Sequence, residues 1–442
     1  MNDRVVIDIL VPPEKQGSYF TVPFTMPADV ESMTLQYHYP RHGQDETAHA
    51  NGTFTGRPEM NIIDLGLIAP NGEQVGASGS DKTEIFVSET TATPGYRPRP
   101  LVPGEWQILV GAYKVVPAGV PVTYELCFTR KGLRLLKGDL HTHTVASDGV
   151  LTAEELGWRA LRHGLNYVAI TDHNQTISAD ALPRIPGLTF IPGIEWTHYQ
   201  GHANFTGVDR PYDCSFAANT PEEVAERFES ARNRGALITV NHPFEDCCPF
   251  KFDLNTLPFD CIEIWNGPMR ESNLRAVGMW HSFLTAGRKI PIVGGSDYHR
   301  DTPFLFLGGP TTCVYAQSAG ASDILAALRR GHAYIVFAPN GPTLNFTAGE
   351  GAILGDTVPW SEARELQIKV GGLLAGDVVR LVTHAETETL LQAPAAGDFQ
   401  TACLMKKPGF ARVEILRAFL PGIPMLPALI SNPIYLEAGK GA

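Results

Sequence analysis

An (α/β) barrel between an N-terminal β-sandwich and a small C-terminal β-domain is the architecture the sequence predicts. Three observations predict it. Short alternating runs broken by Pro and Gly fill residues 1–132, strands and helices alternate over 133–340, and β character returns over 341–442. In the middle segment, polar or ionisable residues stand directly after nearly every apolar strand. Barrel closure gathers such residues at one mouth.

In the first segment RVVIDILV, SYFTVPFTM, MTLQYHY, NIIDLGLI, WQILVGAYKV and VTYELCFTR read as strands, with almost no helix between them. A sandwich or jelly-roll follows. His38, His42 and His49 lie there without a carboxylate pattern and read as surface residues.

From Lys137 the period changes. Thr152-Ala-Glu-Glu155 has the form of a capping box and opens a helix that stops at Gly164. Thr220 with Pro221 opens a second helix ending near Gly235, a third runs from about Asn273 to Ala286, and Ser322 caps a fourth. KGDL, YVAIT, LTFIPG, ANFTG, ALITV, CIEIW, IPIVGG and AYIVF read as the intervening strands. The last segment contributes TLNFTA, ELQIKVGG, VVRLVTH and RVEILRAF, then a proline-broken tail.

Composition bounds the function. The 442 residues are 43% hydrophobic and 19% charged, which is globular, and no apolar run approaches the roughly 18 residues of a membrane span. The N-terminus has no secretory pattern, so a cytoplasmic location is the expectation. The net charge of −12 disfavours extended nucleic acid and favours a small or terminal substrate. Seven scattered cysteines, including the adjacent Cys247 and Cys248 near His242, read as reduced thiols and not as a disulfide framework or thiolate zinc site.

The chemistry is concentrated at strand ends. Asp139-Leu-His141-Thr-His143 is followed by Ser147-Asp148-Gly149; residues two apart in a strand point the same way, so His141 and His143 can grip one ion. Next come Thr171-Asp172-His173-Asn174, Gly193-Ile194-Glu195, Gly201-His202, Asn241-His242-Pro243 and Ser296-Asp297-Tyr298-His299. Six of the 14 histidines occupy such positions, and that many could not be buried without partners. A metal cluster is the reading. Asp139 is expected to hydrogen-bond a ligand histidine, Asp172 to do likewise or fix its loop, Asn266 to line the pocket, and Arg300 to be the best-placed cation for a phosphate.

DLHTHT…SDG, TDHN, GIE, GH, NHP and SDxH, in that order, resemble the PHP (polymerase and histidinol phosphatase) superfamily. GIEWTHYQGHANFTG, Ile264-Trp265-Asn266-Gly267 and VGGSDYH resemble its carbaryl-hydrolase-like CehA/McbA branch. The resemblance spans about residues 133–340. It implies a distorted (β/α)7 barrel with two or three divalent ions (Mn, Fe or Zn). It further implies that His141, His143, Glu195 and Asp297 hold the first ion. Glu195 would bridge to a second held by His202 and His242, and Asp148, His173 and His299 would hold a third.

Two ions about 4 Å apart lower the pKa of a shared water and supply hydroxide near neutrality. Hydrolysis of a phosphomonoester or phosphodiester of a small substrate is the expected activity, with Glu195, Asp297 and His299 in the catalytic centre. A carbamate or carboxylic ester hydrolase using the same ions is the alternative. Assembly through the β-domains is a further expectation, and no membrane partner is expected.

Overall fold

The computed structural model describes residues 2–42 and 59–438. The chain divides into two compact units, Met1–Gly132 and Leu133–Ala442. His49 lies outside the described residues; His38 and His42 are exposed.

The first unit packs two four-stranded antiparallel sheets face to face. One runs Asn2–Val11, Val120–Arg130, Val30–His38, Glu84–Ser88; the other runs Ser18–Met26, Gly104–Lys114, Ile62–Ile68, Gln74–Ser78. Strict alternation builds it. In Val120–Arg130, residues Val120, Val122, Tyr124, Leu126 and Phe128 point inward to meet Trp106, Ile108 and Val110 of the opposite sheet.

The second unit is α/β. Thr189–Ile191, Tyr167–Ala169 and Arg134–Asp139 are parallel neighbours, and Thr311–Ala316 and Ala333–Val336 extend their sheet antiparallel. A second sheet runs Gly193–His198, Gly201–Thr206, Leu237–Val240, Cys261–Asn266, Ile292–Gly295. Isolated parallel bridges, Thr142 to Tyr298 and His173 to Glu195, join the two sheets. The arrangement is not a regular β/α repeat. Gly193–His198 and Gly201–Thr206 form an antiparallel hairpin, because only Tyr199 and Gln200 separate them and two residues cannot make a parallel crossover.

The helices Ala153–Arg162, Pro221–Asn233, Glu271–Thr285 and Ala321–Arg330 cover these sheets. Thr152 and Thr220 each form the full capping box, with Glu155 and Glu223. The fourth helix is capped by Gly320 without a side-chain bond, and Ser322 falls inside its first turn.

The strands after residue 341 do not stand apart from the α/β sheet. Leu426–Ser431 pairs with Ala333–Val336, and Gly409–Arg417, Val378–Thr383 and Thr387–Gln392 follow outward. Tyr334 and Val336 share one core with Leu344, Phe346, Val413 and Leu429. Asn432 reinforces the junction: its side chain takes the Ile292 amide (2.9 Å) and donates to the carbonyls of Ile292 (3.1 Å) and Ala333 (2.8 Å).

Candidate metal centre

The strand Arg134–Asp139 delivers His141 and His143 in extended backbone beside Tyr298, held by His143 N to Tyr298 O at 2.9 Å. Two-residue periodicity does the rest. Thr142 turns the other way and donates to Ala169 O at 2.6 Å, while both flanking imidazoles are buried on the same side.

There they meet residues from both sheets. His141 Nε2 lies 3.2 Å from Glu195 Oε1 and 3.4 Å from Asp297 Oδ1; His143 Nε2 lies 3.0 Å from Asp297 Oδ1 and 3.6 Å from Glu195 Oε2. On the far side of Glu195 stand His202 Nδ1 (3.1 Å) and His242 Nε2 (3.4 Å). Asp148, more than half exposed at the rim, places Oδ1 3.2 Å from His299 Nε2 and 3.7 Å from His173 Nε2. The nine side chains singled out by the motifs thus form one continuous cluster, with Glu195 at its middle.

Four compact donor sets emerge from it: His143, Asp148, His173 and His299; His141, His143 and Glu195; His141, His242 and Asp297; and His202, His242 and Cys248. Within each, one ligand atom per residue lies within 4.8 Å of the others. Cys248, read from sequence as an ordinary thiol, is brought to 3.8 Å from His242 Nδ1.

Three buried atoms in this cluster have no hydrogen-bond partner: His141 Nε2, His143 Nδ1 and Glu195 Oε2. Leaving such atoms unsatisfied costs about 1–3 kcal/mol each, so a centre that keeps them is built for something else to fill it. Nitrogen and oxygen ligands about 2.1 Å from a cation lie roughly 3–3.5 Å apart around it, which is the spacing seen here. The residues fit divalent ions.

Electrostatics agree. Burial opposes ionisation of Glu195, but His141, His173 and His202 outweigh it and hold the carboxyl well below the usual range. Asp297 is likewise held low against burial by His141 and His143. Burial works against a charged His141, yet Asp297, Glu263 and Glu195 raise its pKa well above the ordinary value. The carboxylates are thus held ionised among the histidines, the state in which they can bind a cation.

Backbone strain marks the same place. Among the described residues four non-glycine positions have left-handed φ, and Asn174, His242 and Asp297 are three of them. Gly295 leaves room beneath His141: an added Cβ would meet His141 Cβ at 2.4 Å and Glu263 Oε1 at 2.8 Å.

Several supporting residues differ from the sequence reading. Asp139 touches no imidazole. It accepts from the amides of His141 (3.3 Å), Ser296 (2.9 Å) and Gly308 (2.8 Å), and burial pushes it up to about 6. Asp172 fixes its loop, accepting from Thr144 N and Oγ1 and from Ser147 Oγ. The carboxylate behind a ligand histidine is Glu263, 3.0 Å from His141 Nδ1, which the sequence reading missed. Its signal was an acid inside the otherwise apolar CIEIW strand, buried at every position. Asn241, also missed in this role, donates to Glu195 Oε1 at 2.8 Å. Asn266 bonds Glu263 and Asp297 (3.1 and 3.3 Å). Arg300 and Arg270 are both exposed, and Arg270 lies 3.4 Å from Asn266 Oδ1.

No family model matches the chain. It is 38% identical over 117 residues to the 5'-3' exoribonuclease Rnm of Escherichia coli K12, covering 22% of this chain and 40% of that one. It is 34% identical over 107 residues to the 3',5'-nucleoside bisphosphate phosphatase of Chromobacterium violaceum, covering 23% and 37%. It spans two fifths or less of the length of these curated relatives. Among solved structures, a two-domain protein from Bacteroides vulgatus, described as containing a predicted PHP-like metal-dependent phosphoesterase, is 18% identical with a TM-score of 0.39. That match covers 68% of this chain and 96% of that one. Within the cluster His141 Nδ1 is engaged by Glu263, which leaves Nε2 as the ring nitrogen facing Glu195 and Asp297. His299 Nδ1 lies 2.8 Å from Asp297 O, which leaves Nε2 facing Asp148.

Proposed function

We propose that the protein is a metal-dependent hydrolase of small phosphoesters, mono- or diester. The convergence of nine metal-competent side chains around buried Glu195, with His143 Nδ1 among them left without a hydrogen bond, carries the reading. The sequence relatives named as a nucleoside bisphosphate phosphatase and an exoribonuclease support a phosphoester bond as its target.

His141, His143, Glu195 and Asp297 would hold a first ion, Glu195 with His202 and His242 a second, and Asp148, His173 and His299 a third. Bound there, Mn, Fe or Zn would activate water as a nucleophile and stabilise charge on the phosphoryl oxygens. The protein's own contribution is orientation. Glu263 fixes the tautomer of His141, and Asn241 aims Glu195 Oε1. Asn266 holds Asp297 Oδ2. Where the third position holds no ion, His299, half-buried at the rim with Nδ1 bonded to a carbonyl, or His173 would pass a proton to a leaving oxygen. Arg270, reaching in through Asn266, is better placed than Arg300 to meet an anionic substrate. A distorted (β/α)7 barrel of the CehA/McbA type is the family form proposed for residues 133–340, with 341–442 as its β-appendage.

The test is metal content of protein purified without chelator, beside turnover of p-nitrophenyl phosphate, bis-p-nitrophenyl phosphate, a 3',5'-nucleoside bisphosphate and 1-naphthyl N-methylcarbamate. His141→Ala and Asp297→Ala are the controls. Phosphoester turnover lost in both variants is expected. Turnover of the carbamate alone would transfer the assignment to ester hydrolysis of the carbonyl kind. Sub-stoichiometric metal with no gain on adding Mn would overturn the assignment.

A further inference from the structure

Cys248 answers to nothing in the expected ligand set, yet it stands at its edge. Its Sγ lies 3.8 Å from His242 Nδ1, and Cys248, His242 and His202 form one of the compact donor sets. A nitrogen about 2.0 Å and a sulfur about 2.3 Å from a tetrahedral zinc lie roughly 3.5 Å apart. The observed spacing is close to that.

The loop that carries Cys248 is pinned in place from several directions. Glu245 N bonds His242 O (3.0 Å) and Phe250 N bonds Pro243 O (3.1 Å), folding residues 243–250 back over His242. Glu245 is held by Arg270 at 2.9 Å. Lys251 N reaches Gln200 O at 2.7 Å, which ties the loop to the hairpin bearing His202. At Gly201 (φ +141°) the approach is so close that an added Cβ would meet Phe250 Cα at 2.9 Å. The thiol and His202 are therefore held together by two independent attachments.

We propose that Cys248 is a thiolate ligand of an ion held with His202 through His242 Nδ1, the ring nitrogen turned away from Glu195, and that this soft donor biases that position toward zinc over manganese. The proposal rests on the metal-centre reading above. On binding, the S–H bond breaks, a sulfur–metal bond forms and the proton leaves to solvent. Imidazole and thiolate together select zinc or cobalt, whereas the Asp148 position offers three histidines and one carboxylate and no sulfur. Cys247, exposed and outside the donor set, is the internal control.

The experiment is cobalt titration of the full chain stripped of metal, followed by absorbance. Visible d–d bands report cobalt at any position; a near-ultraviolet charge-transfer band reports a sulfur ligand. The charge-transfer band is expected in the unaltered protein and in Cys247→Ser, and absent in Cys248→Ser with d–d bands retained. In zinc–manganese competition, Cys248→Ser should weaken zinc binding by roughly tenfold or more and leave manganese binding unchanged. Cobalt bound without the charge-transfer band, or a band that survives Cys248→Ser, overturns the thiolate ligand and leaves the metal centre standing. Absence of d–d bands altogether overturns both.

Discussion

Glu263 Oε1 stands 3.0 Å from His141 Nδ1, while Glu263 Oε2 accepts from His242 N at 3.1 Å and from Asn266 Nδ2 at 3.1 Å. One carboxylate beneath the cluster thus sets the orientation of two histidines and an asparagine. Glu263→Gln preserves its shape and removes its charge. Metal affinity should fall about 10–100-fold, as the loss of such supporting partners does elsewhere. Isothermal titration of metal into the variant checks this; unchanged affinity would mean that His141 needs no such partner.

Gly295 has no room for a methyl group. Gly295→Ala would press on His141 and Glu263 together, at 2.4 and 2.8 Å. A destabilisation of about 1–3 kcal/mol is expected, together with loss of metal. Denaturant unfolding and metal content measure the two effects separately. Gly278, inside a helix and with nothing within 4 Å of an added Cβ, is the control: Gly278→Ala should keep its metal and gain about 0.5–1 kcal/mol.

The metal-free protein should respond to pH on both sides of neutrality. His141 and His242 have raised pKa values against the opposing effect of burial, so their contribution is complete below about pH 6.5 and is lost as pH rises through their folded values. Glu195 and Asp297 are depressed, so theirs is present above about pH 4.5 and is lost as pH falls. Thermal unfolding in chelator should therefore peak between these limits. Metal at pH 7 should abolish the alkaline decline and release protons on binding, measurable as a buffer-dependent binding enthalpy. A flat profile in chelator would remove the coupling.

Asn432 is a third target. Asn432→Ala removes the side-chain partner of the Ile292 amide and carbonyl, at roughly 1–3 kcal/mol for each group left unpaired, while the Ala333 carbonyl keeps the residue 432 amide. Residues 133–442 should still unfold in one transition at lower temperature. Two separated transitions would mean that the C-terminal strands melt independently.

The cluster was legible because its chemistry is local. Each ligand ends or follows an apolar run, and metal sites need residue types that chance does not order so consistently. Glu263 was hard to see, because its meaning depends on His141, more than a hundred residues earlier. Asp139 was misread for the opposite reason. It stands two residues before His141, but its carboxylate is taken up by the amides of His141, Ser296 and Gly308, so none is left for an imidazole. The hairpin holding Glu195 and His202 was obscured by Pro192, which separates LTFI from GIEWTH and made the second run resemble a loop. The continuity of the strands after residue 341 with the α/β sheet was invisible, since strand pairing between distant segments leaves no mark in either.

That continuity has a consequence for the order in which the protein comes into being. The side chain that sutures Ile292 to Ala333 belongs to residue 432, so a nascent chain exposes every candidate ligand long before the sheet beneath them is complete. Until Leu426–Ser431 leaves the ribosome and pairs, the edge of Ala333–Val336 stands open and the histidines lack their fixed frame. The candidate ligands therefore gain their complete frame only when a strand that contributes none of them has paired.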